Sequence, residues 1–312
     1  MIAISQVMAA VQRRALKLAA TRYPLVLLGP TGVGKGMLAR LIHRASSMSG
    51  GPFFSLSGGE LTPTLYHNQL FGSVRGAFSG SVQNAKGAFE QAAHGTLFLD
   101  EMHCWIPDVQ NAMLRVLGDL EYMPISGARA VPVSCRLLFA ANRPLEELMN
   151  EGALLPDLGY RIGDLAVLIP PLAQRREDIV PLAYHFLEVT GKEIPLHPQV
   201  RFAPAALWQL VMQEWKGNVR ELANVVRASA VDVGDGVFIE LENLPEKIRE
   251  PQVRLEMVDD SVRHEIIGWA FRYCHQKRKR AADLLGVHDN TIDYHTRGPR
   301  SRPAEKGGQA AG

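Results

Sequence analysis

Apolar residues along the chain come in short blocks whose spacing changes from element to element. Residues 7–20 predict an amphipathic helix, with Val7, Val11, Leu16 and Leu18 roughly on one side and Tyr23-Pro24 as the stop. An unbroken apolar run over 25–28 predicts a buried strand. A glycine loop follows it, and then a helical run over 37–44. Further apolar strands are predicted at 96–99 and 137–140, with helical periodicity over 109–120 between them. Strands alternating with helices predict an α/β fold on a mostly parallel sheet covered on both faces. Pro170-Pro171 closes that part. Residues 172–230 then read as almost entirely helical, over 179–189, 204–213 and 219–231. The stretch 241–258 is charged, contains proline and is weakly periodic, and helix returns over 260–297. The tail beyond 298 is rich in Gly, Pro and Ala, a composition that disfavours packing.

Composition narrows the class. With 312 residues, 46% apolar and 21% charged, the chain can bury a large core and is neither a fibrous repeat nor a polar tail. No apolar stretch approaches the roughly 18 residues of a membrane span, and the first residues carry no secretory signal pattern. Three cysteines, Cys104, Cys135 and Cys274, form no metal-type pair, which makes a reducing cytoplasm the expected compartment. No H-E-x-x-H occurs, so the expected metal is Mg²⁺ arriving with a nucleotide. The net charge of +2 is unevenly spread: residues 261–303 hold nine Lys or Arg against four Asp or Glu. A near-neutral body with a basic C-terminal piece suggests a catalytic or regulatory module joined to a nucleic-acid reader.

The candidate chemistry begins at Gly29-Pro30-Thr31-Gly32-Val33-Gly34-Lys35-Gly36, placed between a strand and a helix. This fits G-x-x-x-x-G-K, in which backbone N–H groups and a helix N-terminus meet phosphate oxygens and the lysine reaches the β- and γ-phosphates. The hydroxyl residue that usually follows the lysine and holds Mg²⁺ is Gly36 here. Sixty-five residues on, the strand Gly95-Thr96-Leu97-Phe98-Leu99 ends in Asp100-Glu101. Asp100 is suited to organise Mg²⁺ through its water shell, and Glu101 to polarise an attacking water.

The stretch QLFGSVRGAFSGSVQNAKGAFEQAAHGTLFLDE resembles the central domain of bacterial enhancer-binding proteins, the AAA+ ATPases that activate sigma-54 RNA polymerase. The family hexapeptide GAFTGA reads GAFSGS here, at Gly76, Ala77, Phe78, Ser79, Gly80 and Ser81. LFAANRPLEEL, DLGYRI, PPLAQRREDI and WKGNVRELANVV follow in family order, so the resemblance covers residues 4–249. It implies an AAA+ domain over 1–171, a helical lid over 172–249 and a linker over 250–258. It further implies Asn142 as a polar sensor near the γ-phosphate. Arg161 would be an arginine finger reaching the neighbouring protomer's nucleotide, and Arg220 a lid sensor. Phe78 would stand at the tip of a loop that touches sigma-54. ATP and Mg²⁺ are the implied cofactors.

Several departures from the family pattern concern contacts between subunits and coupling, not the phosphate loop itself. Leu155 stands where a second interface arginine is expected, and Ser57 where an asparagine restrains the catalytic glutamate. Ala88 replaces the arginine of a GRFE segment, Ala141 the threonine before the sensor asparagine, and Ser81 the last alanine of the hexapeptide. Arg143 and Arg75 are candidates to replace a lost interface arginine.

The segment RAADLLGVHDNTIDYHTR resembles the Fis-type helix-turn-helix that ends these proteins, here over 259–298, before a tail at 299–312 expected to be disordered. In such a unit the second helix of the pair enters the major groove. Its candidate base readers are His288, Asn290, Thr291, Tyr294, His295 and Arg297, with Lys277, Arg278, Lys279 and Arg280 as phosphate contacts. The leading expectation is an ATP-dependent activator that binds upstream double-stranded DNA as a dimer, assembles into a hexamer and remodels sigma-54 RNA polymerase. The chain starts almost at its ATPase domain, so control is expected from a separate regulatory protein, from expression level or from the N-terminal region that relatives carry. The alternative is a DNA-binding regulator whose AAA+ domain senses nucleotide and acts without sigma-54.

Overall fold

The computed structural model describes residues 2–59, 63–74, 85–249 and 258–297. By packing they form two units. One comprises Gln6–Arg175 with Trp215–Glu221; the other comprises Ile2–Ser5, Arg176–Glu214 and Leu222 onward.

The first unit carries α1 (Gln6–Ala19), β1 (Leu25–Leu28), α2 (Lys35–Arg44), β2 (Phe53–Ser57), α3 (Pro63–Phe71), α4 (Ala88–Gln91) and β3 (Thr96–Asp100). It continues with α5 (Pro107–Asp119), a hairpin of β4 (Glu121–Tyr122) and β5 (Val131–Pro132), β6 (Arg136–Ala141), α6 (Leu145–Asn150), α7 (Pro156–Gly163) and β7 (Ala166–Leu168). The sheet order is β2-β3-β6-β1-β7, and every pairing is parallel. Strands β1 and β6 are buried at every position, as expected for a parallel sheet with helices on both faces. The strands and helices expected here are present. Strand β2 lacks an apolar run because it is the sheet edge, and only Leu56 of it is fully buried.

Helix α1 forms, but its buried face is Met8, Ala15 and Ala19. Val7 and Leu16, expected inside, are exposed. Small alanines let the helix backbone approach the sheet where larger side chains would hold it off. The buried Arg136 of β6 fixes its end by donating to the Leu18 and Ala19 carbonyls, 2.8 Å each, which are orphan acceptors of the last turn.

The second unit carries α8 (Ile179–Glu193), β8 (Arg201–Phe202), α9 (Pro204–Met212), most of α10 (Asn218–Val233), β9 (Phe238–Ile239) and α11 (Glu246–Arg249). The β8–β9 pair was hidden in the sequence because two-residue strands carry no period. Residues 241–249 form a 3-10 turn and α11, and the buried Gln209 donates to the Ile248 carbonyl at 2.6 Å. Then come α12 (Asp260–Tyr273), α13 (Arg278–Leu285) and α14 (Asp289–Arg297), joined between the last two by Gly286. Among the described residues no helix is long and apolar enough to cross a membrane.

Candidate functional site

Strand β1 ends where the glycine loop begins, and α2 starts at Lys35. Gly34, at φ 106°, makes this junction in a backbone region that side chains rarely adopt. The loop's carbonyls are held from other sides. Lys35 Nζ donates to Gly29 (2.8 Å) and Pro30 (3.3 Å), and Asn218 Nδ2 to Thr31 (3.0 Å). The Val219 N–H donates to Gly32 (3.0 Å), and Arg175 Nη2 to Val33 (2.8 Å). The Gly29 and Val33 N–H groups donate to the Ala141 and Pro30 carbonyls, which leaves the N–H groups nearer the start of α2 as the ones suited to meet an anion.

Thr31, Gly32, Gly34, Lys35 and Gly36 line a cavity of about 200 Å³ together with Asp100, Glu101, Asn142 and Arg220. Four segments distant in sequence thus converge within one unit. Lys35 is buried, and burial lowers its pKa, opposed by the charges of Asp100 and Glu101; Arg220 acts with burial. Asn142 Oδ1 is buried without a hydrogen-bond partner at the end of β6. An orphaned polar atom on a phosphate-binding cavity fits a group waiting for ligand or water.

Glu101 follows β3 in a left-handed conformation, φ 55°. Its carboxylate accepts from Ser57 Oγ at 2.6 Å, and its N–H donates to Asp100 Oδ1 at 2.9 Å. Ser57 and Asp100 are register partners across β2 and β3, which places the hydroxyl beside the carboxylate. Gly59 makes room, since a Cβ there would lie 2.5 Å from Glu101 Oε2. A serine thus contacts the glutamate at the position where the resemblance implied an asparagine.

Arg161 does not line this cavity. It lies exposed at the end of α7, donates to the Leu114 carbonyl (3.3 Å), and lines an open depression with Arg115, Asp119, Asp157 and Tyr160. Leu155 caps α7 and packs against the core. Arg143 is engaged with Glu151 at 2.6 Å. Ala88 is buried at the start of α4, and Ala141 in β6. The hexapeptide 76–81 and Arg75 lie outside the described residues, as do 250–257 and 298–312.

In the C-terminal helices the candidates separate. Asn290 and Tyr294, one turn apart on α14, are exposed, as are Lys277, Lys279 and Arg280. Arg278 pairs with Asp293 of α14. His295 Nδ1 sits 3.0 Å from His264 Nδ1 of α12, and His288 Nδ1 accepts from the Asn290 N–H at 3.2 Å. Thr291 is half-buried. Arg297 ends the helix, and its side chain is outside the described atoms.

Sequence reasoning missed Gln110, Asn218 and Arg175. Gln110, buried on α5, donates to the Trp105 and Ala153 carbonyls and accepts from the Leu155 N–H at 2.7 Å. It ties the segment after Glu101 to the start of the Arg161 helix. The available signal was a glutamine on the apolar face of a helix.

A five-stranded parallel sheet, a glycine loop between β1 and α2, a β3 that ends in carboxylates and a buried asparagine just after β6 define a P-loop fold of the AAA+ class. A family profile described as the sigma-54 interaction domain matches residues 1–168, and one described as the AAA+ ATPase lid domain matches residues 173–260. The chain therefore belongs to the sigma-54-dependent transcriptional activators. It is 33% identical, over 85% of its length and 79% of the relative's, to the sigma54-dependent transcriptional activator SfnR of Pseudomonas putida. It is 39% identical over 78% of its length to the Nif-specific regulatory protein of Rhodobacter capsulatus, of which it spans only 41%. Among solved structures, NtrX of Brucella abortus in complex with ADP matches with a TM-score of 0.74 at 26% identity. That match covers 95% of this chain and 69% of NtrX; the ATP complex gives 0.73.

Proposed function

We propose that this chain hydrolyses ATP to remodel sigma-54 RNA polymerase at promoters whose upstream DNA it binds through α12–α14. The observation that carries the reading is the cavity where Lys35, Asp100, Glu101, Asn142 and Arg220 converge, with Glu101 anchored by Ser57. In this reading the loop N–H groups and Lys35 hold the phosphates, and Asn142 orients the lytic water. Glu101 accepts that water's proton, and Arg220 reads the nucleotide from the start of α10. Mg²⁺, when bound with ATP, neutralises charge on the β- and γ-phosphates; Asp100 is the side chain placed to hold its water shell, since Gly36 supplies no hydroxyl. Arg161, exposed and away from its own cavity, serves a neighbouring subunit in a ring, a hexamer by analogy with the family. The hexapeptide 76–81 carries the stroke to sigma-54.

For DNA, the exposed Asn290 and Tyr294 read base edges while Lys277, Lys279 and Arg280 meet phosphates. Arg278 and His295 instead hold the recognition helix in place, through Asp293 and His264. ATP turnover tests the reading. Glu101→Gln should retain ATP binding and lose hydrolysis, and a wild-type chain that binds ATP without hydrolysing it would favour the nucleotide-sensing alternative.

A further inference from the structure

Helices α12–α14 are seated on the helices of the lid. Trp208 of α9 is buried and donates its indole N–H to the Leu285 carbonyl, 3.0 Å away at the end of α13. The next residue, Gly286, makes the helix-turn-helix turn at φ 63°, and a Cβ there would lie 2.6 Å from Cβ of Pro204, the first residue of α9. On α12, Trp269 and Tyr273 stack with centroids 4.8 Å apart. Both rings pack on Tyr184 of α8, at 5.5 and 5.3 Å, and Tyr184 meets Phe202 edge-on. The Tyr273 hydroxyl donates to Glu188 of α8 at 3.4 Å. Aromatic pairs of this geometry add to the area they bury, and a buried indole N–H needs its acceptor.

We propose that the lid face formed by Tyr184, Glu188, Pro204 and Trp208 is a docking surface for the chain's own DNA reader, so that lid and reader move as one body. The occupant is fixed by fit: a glycine where α9 leaves no room for a Cβ, a carbonyl opposite the buried indole, and two stacked rings opposite Tyr184. The reading of α12–α14 as the DNA reader gives this its consequence. Any effect that DNA bound to α14 has on nucleotide affinity through this joined body is matched by an equal effect of nucleotide on DNA affinity.

The test is the distance between nitroxides carried on p-acetylphenylalanine, which leaves the three cysteines untouched. They are placed at the exposed Lys192 of α8 and Asp283 of α13 in the full chain. Docking predicts one narrow distance distribution, broadened by Trp208→Ala or Trp269→Ala. A reader hanging on residues 250–257 as a flexible tether would spread over about 15 Å. That spread in the wild type overturns the proposal, as does a wild-type distribution that both variants leave unchanged. If neither variant folds, the wild-type width decides. No DNA or nucleotide is present, so the outcome is independent of whether the reader binds DNA.

Discussion

Ser57 and Glu101 are joined by a 2.6 Å hydrogen bond in which the serine hydroxyl donates to the carboxylate. The bond spans two neighbouring strands and fixes a side chain whose own backbone is left-handed. A charge-assisted bond of this kind contributes about 1.5–3 kcal/mol. Ser57→Ala should therefore lower kcat for ATP by at least about tenfold with little change in nucleotide affinity, and Ser57→Asn should recover much of the loss. Steady-state ATPase assays with a fluorescent-nucleotide titration check both. Equal kcat in Ser57→Ala would show that the contact has no part in hydrolysis.

Gln110 satisfies three backbone groups that would otherwise be stranded inside the first unit. Gln110→Leu should cost about 2 kcal/mol or more in denaturant unfolding, because those groups lose their partners without gaining water. Turnover should fall further than nucleotide affinity, since α7 then presents Arg161 less firmly.

Arg161 lies on the surface, apart from the cavity that holds Lys35. Arg161→Ala and Lys35→Ala should each be nearly inactive alone, the second also losing tight ATP binding. Mixed, they should regain hydrolysis at junctions that pair an intact cavity with an intact finger. With Leu155 in place of a second arginine, the loss in Arg161→Ala should be about a hundredfold or more. Subunit-mixing assays with demonstrated co-assembly decide this: activity no greater than the sum of the components would exclude a finger acting in trans.

Burial lowers the pKa of His295, and the neighbouring His264 and Arg263 act in the same direction, with Asp260 opposing. The folded reader thus favours neutral His295 more than the unfolded chain does. This contribution is fully present above the ordinary histidine value of about 6.5 and is lost as pH falls below it toward the folded value. Thermal melts at pH 7.5 and 5.5 should show a fall in the unfolding temperature of α12–α14. The fall should be smaller in His295→Gln, where no proton is taken up.

The parallel sheet and its phosphate loop were legible because buried strands and glycine loops leave strong local marks, as at Leu25–Leu28 and Gly29–Lys35. The three C-terminal helices fall inside the helical stretch expected over 260–297 for a similar reason, since their apolar period is regular. Roles set by long-range contact were not legible. Val7 looks like core and is exposed, because α1 turns the face of Met8, Ala15 and Ala19 inward instead. Gln110 looks like a break in an apolar face and is a buried tether. The contacts of His295 with His264 of α12 and of Arg278 with Asp293 of α14 also left no mark in the sequence. Ser57 looked like a loss, and only the β2–β3 register shows that its hydroxyl reaches Glu101.

The central claim, that the chain couples ATP hydrolysis at this cavity to sigma-54, is tested most directly by reconstituted transcription from a sigma-54 promoter bearing an upstream site for this chain. Transcripts should appear with wild-type protein and ATP. They should be absent with a non-hydrolysable ATP analogue and absent with Glu101→Gln, although that variant still binds ATP. Transcripts of equal yield with Glu101→Gln, or none with a wild-type chain that hydrolyses ATP and occupies its site, would contradict the account.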